Sequence, residues 1–180
     1  MIIVYTGNGK GKTSACIGQA MRALGRDFAV GFGQFMKQPG CAGEQTILAR
    51  LLGDDFLAGG KGFLRREEDR PAHREAALAT LDWARQRLER LDLLVLDETL
   101  YALKAGILER SEVEELMDAA RRARCHLVLS GRDAAGGGRR SCHGNGRDQT
   151  SLAGGHQGRA GHRILGRDVL PVSAVPCRAH

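Results

Sequence analysis

Apolar residues run through the first 130 positions in two alternating rhythms. Ile2-Ile3-Val4-Tyr5 is β-branched and aromatic and predicts a buried strand. A glycine-rich turn, residues 6–14, leads into Ala15, Ile17, Ala20, Met21 and Leu24 at helical spacing, with Gly25 as a helix-ending residue. Residues 28–35 predict a second strand. A loop around Pro39-Gly40 and a helix from about Glu44 to Leu52 follow, and residues 53–63 read as loop. A long helix after Pro71 carries Ala76, Leu78, Leu81, Trp83, Ala84 and Leu88. Leu93-Leu94-Val95-Leu96 is continuously apolar, as in a parallel strand buried on both faces. Ser111 with Glu114 predicts a capping box at the next helix, and His126 to Leu129 predicts a further strand. Strands alternating with helices define an α/β fold, a mostly parallel sheet with flanking helices. Past Ser130 the rhythm stops: eleven glycines fall between Gly131 and Gly166, and Pro171 interrupts the late apolar run. The expected organisation is one domain over 1–133 and an aberrant glycine- and arginine-rich tail over 134–180, disordered or frameshifted.

At 180 residues, 42% hydrophobic and 27% charged, the chain is long enough for one packed core. The charge of +6 is unevenly placed, since residues 131–180 hold eight arginines and three aspartates and the body is close to neutral. With aromatics at only 4%, nucleic-acid binding is not expected, the alternative being a basic arm in the tail. No apolar run is long enough for a bilayer, and the N-terminus lacks the features of a signal peptide. Five cysteines without a CxxC pair argue against a disulfide framework and a zinc site. The expectation is a cytoplasmic protein with no membrane association. His73 reads as a helix-surface histidine, His126 as a strand-start residue and Trp83 as core; the tail histidines have no metal spacing.

The strongest chemical signal is Thr6-Gly7-Asn8-Gly9-Lys10-Gly11-Lys12-Thr13-Ser14 between a strand and a helix. Such a loop turns backbone N–H groups toward a polyphosphate, adds the Lys12 charge and leaves the Thr13 hydroxyl for Mg²⁺. The usual pattern has glycine five positions before Gly11, where this chain has Thr6. Asp97-Glu98 ends the apolar strand, at the edge where ligands bind open α/β sheets, and carboxylates there hold Mg²⁺ directly or through water. No Ser/His/Asp or Cys/His constellation supplies a side-chain nucleophile.

These residues resemble the cob(I)alamin (corrinoid) adenosyltransferases of the ATP-binding phosphate-loop type. The likeness is carried by residues 5–14, Gln34-Phe35-Met36-Lys37 with Gly43-Glu44, and Gly62-Phe63. It continues through residues 93–98 with Tyr101-Ala102-Leu103, and Ser130-Gly131-Arg132. The resemblance implies a RecA-like phosphate-loop fold, a homodimer, and a reaction in which Co(I) of a reduced corrinoid (cobalamin) attacks C5′ of ATP and expels triphosphate. A flavoprotein-type reductant is an implied partner. Gly7, Asn8, Gly9, Lys10, Gly11, Lys12, Thr13 and Ser14 would then hold ATP, with Glu44 and Arg132 as further binding residues. Thr13 and Glu98 would hold Mg²⁺ with Asp97 in support, and Lys12, Glu98 and Phe63 would serve catalysis, Phe63 beside the corrin. Arg65 stands where that family usually has tryptophan. Glu44 also reads as a first-turn helix residue favoured by the dipole, and Phe63 as a loop-anchoring aromatic.

The resemblance ends near residue 133. Codons compatible with residues 142–150, read one base later, spell Ala-Thr-Glu-Met-Ala-Glu-Ile-Lys-Pro, and residues 161–165 spell Gly-Ile-Glu-Phe and a stop. Both match the family ending in one frame, which points to a frameshift starting near residues 133–141. Residues 144–151 echo the first loop without its lysine. The alternatives are a phosphate-loop ATPase or kinase-type enzyme releasing ADP, and an inactive ATP-binding remnant.

Overall fold

The computed structural model describes residues 1–132 and a strand at Leu170–Ser173. The remaining tail, including the frame-shifted reading, the loop echo and the tail histidines, lies outside the described residues. Among the described residues six strands form one sheet: β1 (Ile2–Thr6), β2 (Val30–Gln34), β3 (Phe56–Ala58), β4 (Leu93–Asp97), β5 (His126–Ser130) and β6 (Leu170–Ser173). Their order is β3-β2-β4-β5-β1-β6, and every pairing is parallel. The α-helices among the described residues are α1 (Lys12–Leu24), α2 (Gly43–Leu52), α3 (Arg70–Arg85), α4 (Thr99–Lys104) and α5 (Arg110–Arg122).

The sheet is buried on both faces because its strands alternate apolar residues to either side. Val95 and Val128 point with Phe32 toward Cys16 and Ala20 of α1 and Leu48 of α2. Leu94, Leu96, Leu127 and Leu129 point the other way, into Leu81 of α3 and Val113 and Leu116 of α5. This three-layer packing confirms the α/β class. Arg74 forks onto Glu112 with two contacts of 2.6 Å, joining α3 to α5.

Local readings needed correction. The second strand starts at Val30, leaving Phe28 exposed. Residues 56–58, expected as loop, form the edge strand β3; pairing with β2 imposes a conformation that the glycines around it conceal. The capping box uses Glu109 and Glu112 rather than Ser111 and Glu114, so α5 starts two residues earlier, where Arg74 also holds Glu112. The six-residue α4 has too few turns for a legible period. His73 is buried, not on the surface, and Trp83 is partly buried against the core under the Arg87 guanidinium. A strand at Leu170–Ser173 was not expected from a run containing Pro171; it lies at the sheet edge, where a missing N–H is tolerated.

The chain after β3 is pressed onto the end of β2. Gly60 N–H donates to the Lys37 carbonyl (3.1 Å) and Gly62 N–H to that of Met36 (2.8 Å). A Cβ on Gly60 would lie 2.3 Å from the Met36 carbonyl carbon and 2.5 Å from the Phe35 oxygen, atoms that cannot rotate away. Gly60→Ala is therefore expected to cost about 1–3 kcal/mol, as overpacking does elsewhere. A urea midpoint unchanged from wild type would contradict this packing.

Candidate functional site

Parallel order places the C-terminal ends of β1, β5, β4 and β2 side by side, and the functional residues follow directly from those ends. After β1 the loop passes through Gly7 (φ 125°) and Gly11 (φ 102°), left-handed positions that suit glycine, and enters α1. The start of α1 has no side-chain cap and no acidic residue in its first turn, so its N–H groups and positive dipole end remain available to an anion. Lys12 folds over this loop, donating to the carbonyls of Gly7 and Gly9 at 2.7 Å each. Lys10, Asn8 and Ser14 are exposed around it.

Asp97, at the end of β4, is fully buried. Thr13 Oγ1 donates to its Oδ2 at 3.0 Å, Ser130 Oγ donates to its Oδ1 at 2.5 Å, and Gln34 Nε2 approaches at 3.4 Å. Lys37 Nζ lies 3.3 Å from Asp97 Oδ2 and 2.6 Å from Glu44 Oε1, and Glu44 also accepts from Gln34. Burial works against the Lys37 ammonium, yet Glu44 and Asp97 outweigh it and hold its pKa above the ordinary lysine value. Burial likewise opposes the Glu44 carboxylate, but its hydrogen bonds, led by Lys37, keep its pKa low.

Glu98 follows in a left-handed conformation (φ 65°), its N–H donating to Ser130 Oγ at 3.2 Å. A non-glycine residue held there is strained, a condition that persists where neighbours over-determine it. Burial and then the Asp97 charge push the Glu98 pKa up.

A cleft of about 350 Å³ lies over these strand ends, lined by Gly9, Lys12, Thr13, Glu98, Arg132 and the ring pair Phe63–Tyr101. The rings meet edge to face with centroids 5.1 Å apart, and Phe63 is 58% exposed. The glycine loop therefore forms one wall and the aromatic pair the other. Cys16 lies buried beneath α1 with its thiol pushed up to about 12 by burial and Asp97, so it stays protonated. Among the described residues no group of three or more His, Cys, Asp or Glu side chains could hold a metal alone.

Of the residues singled out in the sequence, the loop, Phe63, Glu98 and Arg132 meet at this cleft, while Asp97 lies behind Thr13. Glu44 is instead engaged by Lys37 and Gln34. Gln34, Lys37 and Ser130 were not singled out as site residues, although Gln34 and Ser130 end parallel strands and that position was the available signal.

Sheet, loop and acidic strand end together define a phosphate-loop nucleotide-binding α/β protein. A family model described as ATP:corrinoid adenosyltransferase BtuR/CobO/CobP matches residues 1–137, and the chain belongs to that family. A corrinoid adenosyltransferase of Pseudomonas aeruginosa is 40% identical over 143 residues, 76% of this chain and 68% of that protein. The corrinoid adenosyltransferase CobA of Salmonella typhimurium is 36% identical over 134 residues, 73% and 67% of the two chains. A corrinoid adenosyltransferase of Sinorhizobium sp is 32% identical over 140 residues, 74% and 64%. The match thus spans about two thirds of the length of these relatives. AMPPCP-bound DnaA from Aquifex aeolicus is similar at a TM-score of 0.38 and 16% identity over 73% of this chain and 32% of that one, a likeness too slight to carry an argument.

The raised Glu98 pKa has a stability consequence. The native state holds this proton more tightly than the unfolded chain, so its contribution is present below the ordinary glutamate value of 4.5 and is lost as pH rises through the native pKa. In nucleotide-free protein, Glu98→Gln is expected to raise the thermal midpoint at pH 8 relative to wild type, with the gain shrinking as pH falls toward 4.5. A constant difference across that range would show that Glu98 does not titrate as its surroundings require.

Proposed function

We propose that this chain transfers the 5′-deoxyadenosyl group of ATP to Co(I) of a reduced corrinoid, releasing triphosphate. The observation carrying this reading is the cleft itself, a glycine-rich phosphate loop facing an aromatic pair of exposed Phe63 and half-buried Tyr101, with no Cys, Ser or His among its lining residues. The corrin cobalt is the nucleophile: its electron pair forms the Co–C5′ bond while the C5′–O bond breaks and the triphosphate leaves with the other pair. The protein holds the reactants together and neutralises the leaving group. Lys12, now bonded to its own loop, turns toward the triphosphate with Lys10 and the amides of residues 7–14. Phe63 and Tyr101 offer an apolar face to the corrin.

Mg²⁺ fits this site. Thr13 Oγ1 and Asp97 Oδ2 lie 3.0 Å apart with an ammonium beside both, and such oxygen donors suit a hard cation. Thr13 and Glu98 would hold the ion together with substrate phosphates, Asp97 orienting the Thr13 hydroxyl from behind. Bound there, the ion would neutralise charge on the triphosphate. The family resemblance further supports a cytoplasmic homodimer supplied with reduced corrinoid by a flavoprotein-type donor. No helix among the described residues is long and apolar enough to cross a membrane.

An anaerobic assay with ATP, Mg²⁺ and chemically reduced cobalamin tests the reading. Adenosylcobalamin and triphosphate are expected in equal amounts, and ADP instead would overturn it. Lys12→Ala should slow the transfer on the order of 10²-fold or more, the loss typical of removing one preorganised donor to a developing anion.

We further propose that residues 1–133 carry nucleotide binding and that the ending read one base later completes the enzyme. A chain with that ending should bind ATP as the 180-residue chain does and transfer the adenosyl group faster. Equal transfer rates would refute the frame reading's functional importance.

A further inference from the structure

Lys37, paired with Glu44, is a cation of this cluster to which the reaction gives no part. Its Nζ sits among three oxygens from three parts of the chain: Glu44 Oε1 at 2.6 Å, Asp97 Oδ2 at 3.3 Å and Thr13 Oγ1 at 3.4 Å. Thr13 turns its proton to Asp97, which leaves an oxygen lone pair for the ammonium. An all-oxygen, net negative set of this kind is what a hard cation selects. We propose that Lys37 is a tethered cation that neutralises the Thr13–Asp97 side of the metal site in the nucleotide-free protein and is pushed toward Glu44 when a nucleotide-bound divalent cation arrives on Thr13. This rests on the metal reading above.

Lys37 Nζ lies 3.4 Å from Thr13 Oγ1 and 3.3 Å from Asp97 Oδ2, so a divalent cation arriving on Thr13 is repelled by the ammonium and repels it in turn. The exit is already built. Glu44 makes the shortest contact to Lys37 and is itself held by Gln34 Nε2 at 3.2 Å, while Gln45 Nε2 fixes Gln34 Oε1 at 2.9 Å. Lys37, 24% exposed at its side chain, can pivot about this fixed carboxylate without losing its partner. Until then it neutralises Asp97 and keeps Thr13 aligned. A free divalent cation gains too little from two or three protein oxygens to displace it, whereas one carried on a polyphosphate brings further ligands. Lys37 therefore makes metal entry conditional on nucleotide.

Calorimetry on the full chain separates the possibilities, because ATP without corrinoid is bound and not consumed. ATP is titrated over a range of free Mg²⁺, and Mg²⁺ is titrated alone. Wild type should bind ATP more tightly as Mg²⁺ rises and show no binding of Mg²⁺ alone. In Lys37→Met the Mg²⁺ needed for half the effect should fall about tenfold, within the usual range for coupled sites, and Mg²⁺ should bind without nucleotide. Lys37→Arg should stay near wild type. Glu44→Gln, which removes the exit charge but keeps its shape, should move the Mg²⁺ requirement upward and tests the idea even if the methionine variant fails to fold. An unshifted requirement in folded Lys37→Met or in Glu44→Gln overturns the proposal. So does an ATP affinity lowered equally at every Mg²⁺ concentration in Lys37→Met, which would make Lys37 a phosphate contact. ATP binding indifferent to Mg²⁺ in wild type itself would overturn the metal reading and this inference with it.

Discussion

The buried carboxylate of Asp97 is the constraint on which the site depends. It lies at the end of β4, fully removed from solvent, and a buried charge is tolerated only when paired and hydrogen-bonded. Thr13 arrives from the first turn of α1, Ser130 from the end of β5, Gln34 from the end of β2 and Lys37 from the segment just after it. Satisfying one carboxylate therefore fixes the phosphate loop, the acidic strand end and the residues after β2 relative to one another. Ser130 extends the constraint by accepting the Glu98 N–H, which helps to hold that residue in its strained turn.

The cleft above has two characters with separate structural origins. Its polar side is mainly backbone: the glycine turns and the uncapped start of α1 present N–H groups that need no particular side chains beyond Lys12 and Thr13. Its apolar side is tertiary. Phe63 stands exposed because Gly60 and Gly62 bind the chain to the carbonyls after β2, and it meets Tyr101 of α4, which enters from beyond β4. A site that joins a polyphosphate to a large apolar ligand needs both, and the parallel sheet brings them to one edge.

The strand–loop–helix unit, the parallel α/β class and the glycine turns at Gly7 and Gly11 were legible along the chain. Each is local: a hydrophobic period, a turn that requires glycine, or a polar pair ending an apolar run. Glu44 was legible as a candidate but not as the partner of Lys37, and Phe63 as an aromatic but not as half of a ring pair. The edge strand β3, the short α4 and the cap of α5 were missed or misplaced, because the first depends on pairing with β2, the second has too few turns and the third shares Glu112 with Arg74.

The sequence alone thus determined the fold class and the phosphate loop, since periodicity and backbone freedom are properties of neighbouring residues. Tertiary structure decided how the acidic strand end is used. Lys37, Glu44, Asp97, Thr13 and Ser130 are spread over more than a hundred positions, and only the strand order β2-β4-β5-β1 puts their charges within a few ångströms. At such separations a charge's partner is set by which strands are adjacent, and adjacency follows from burying both faces of the sheet.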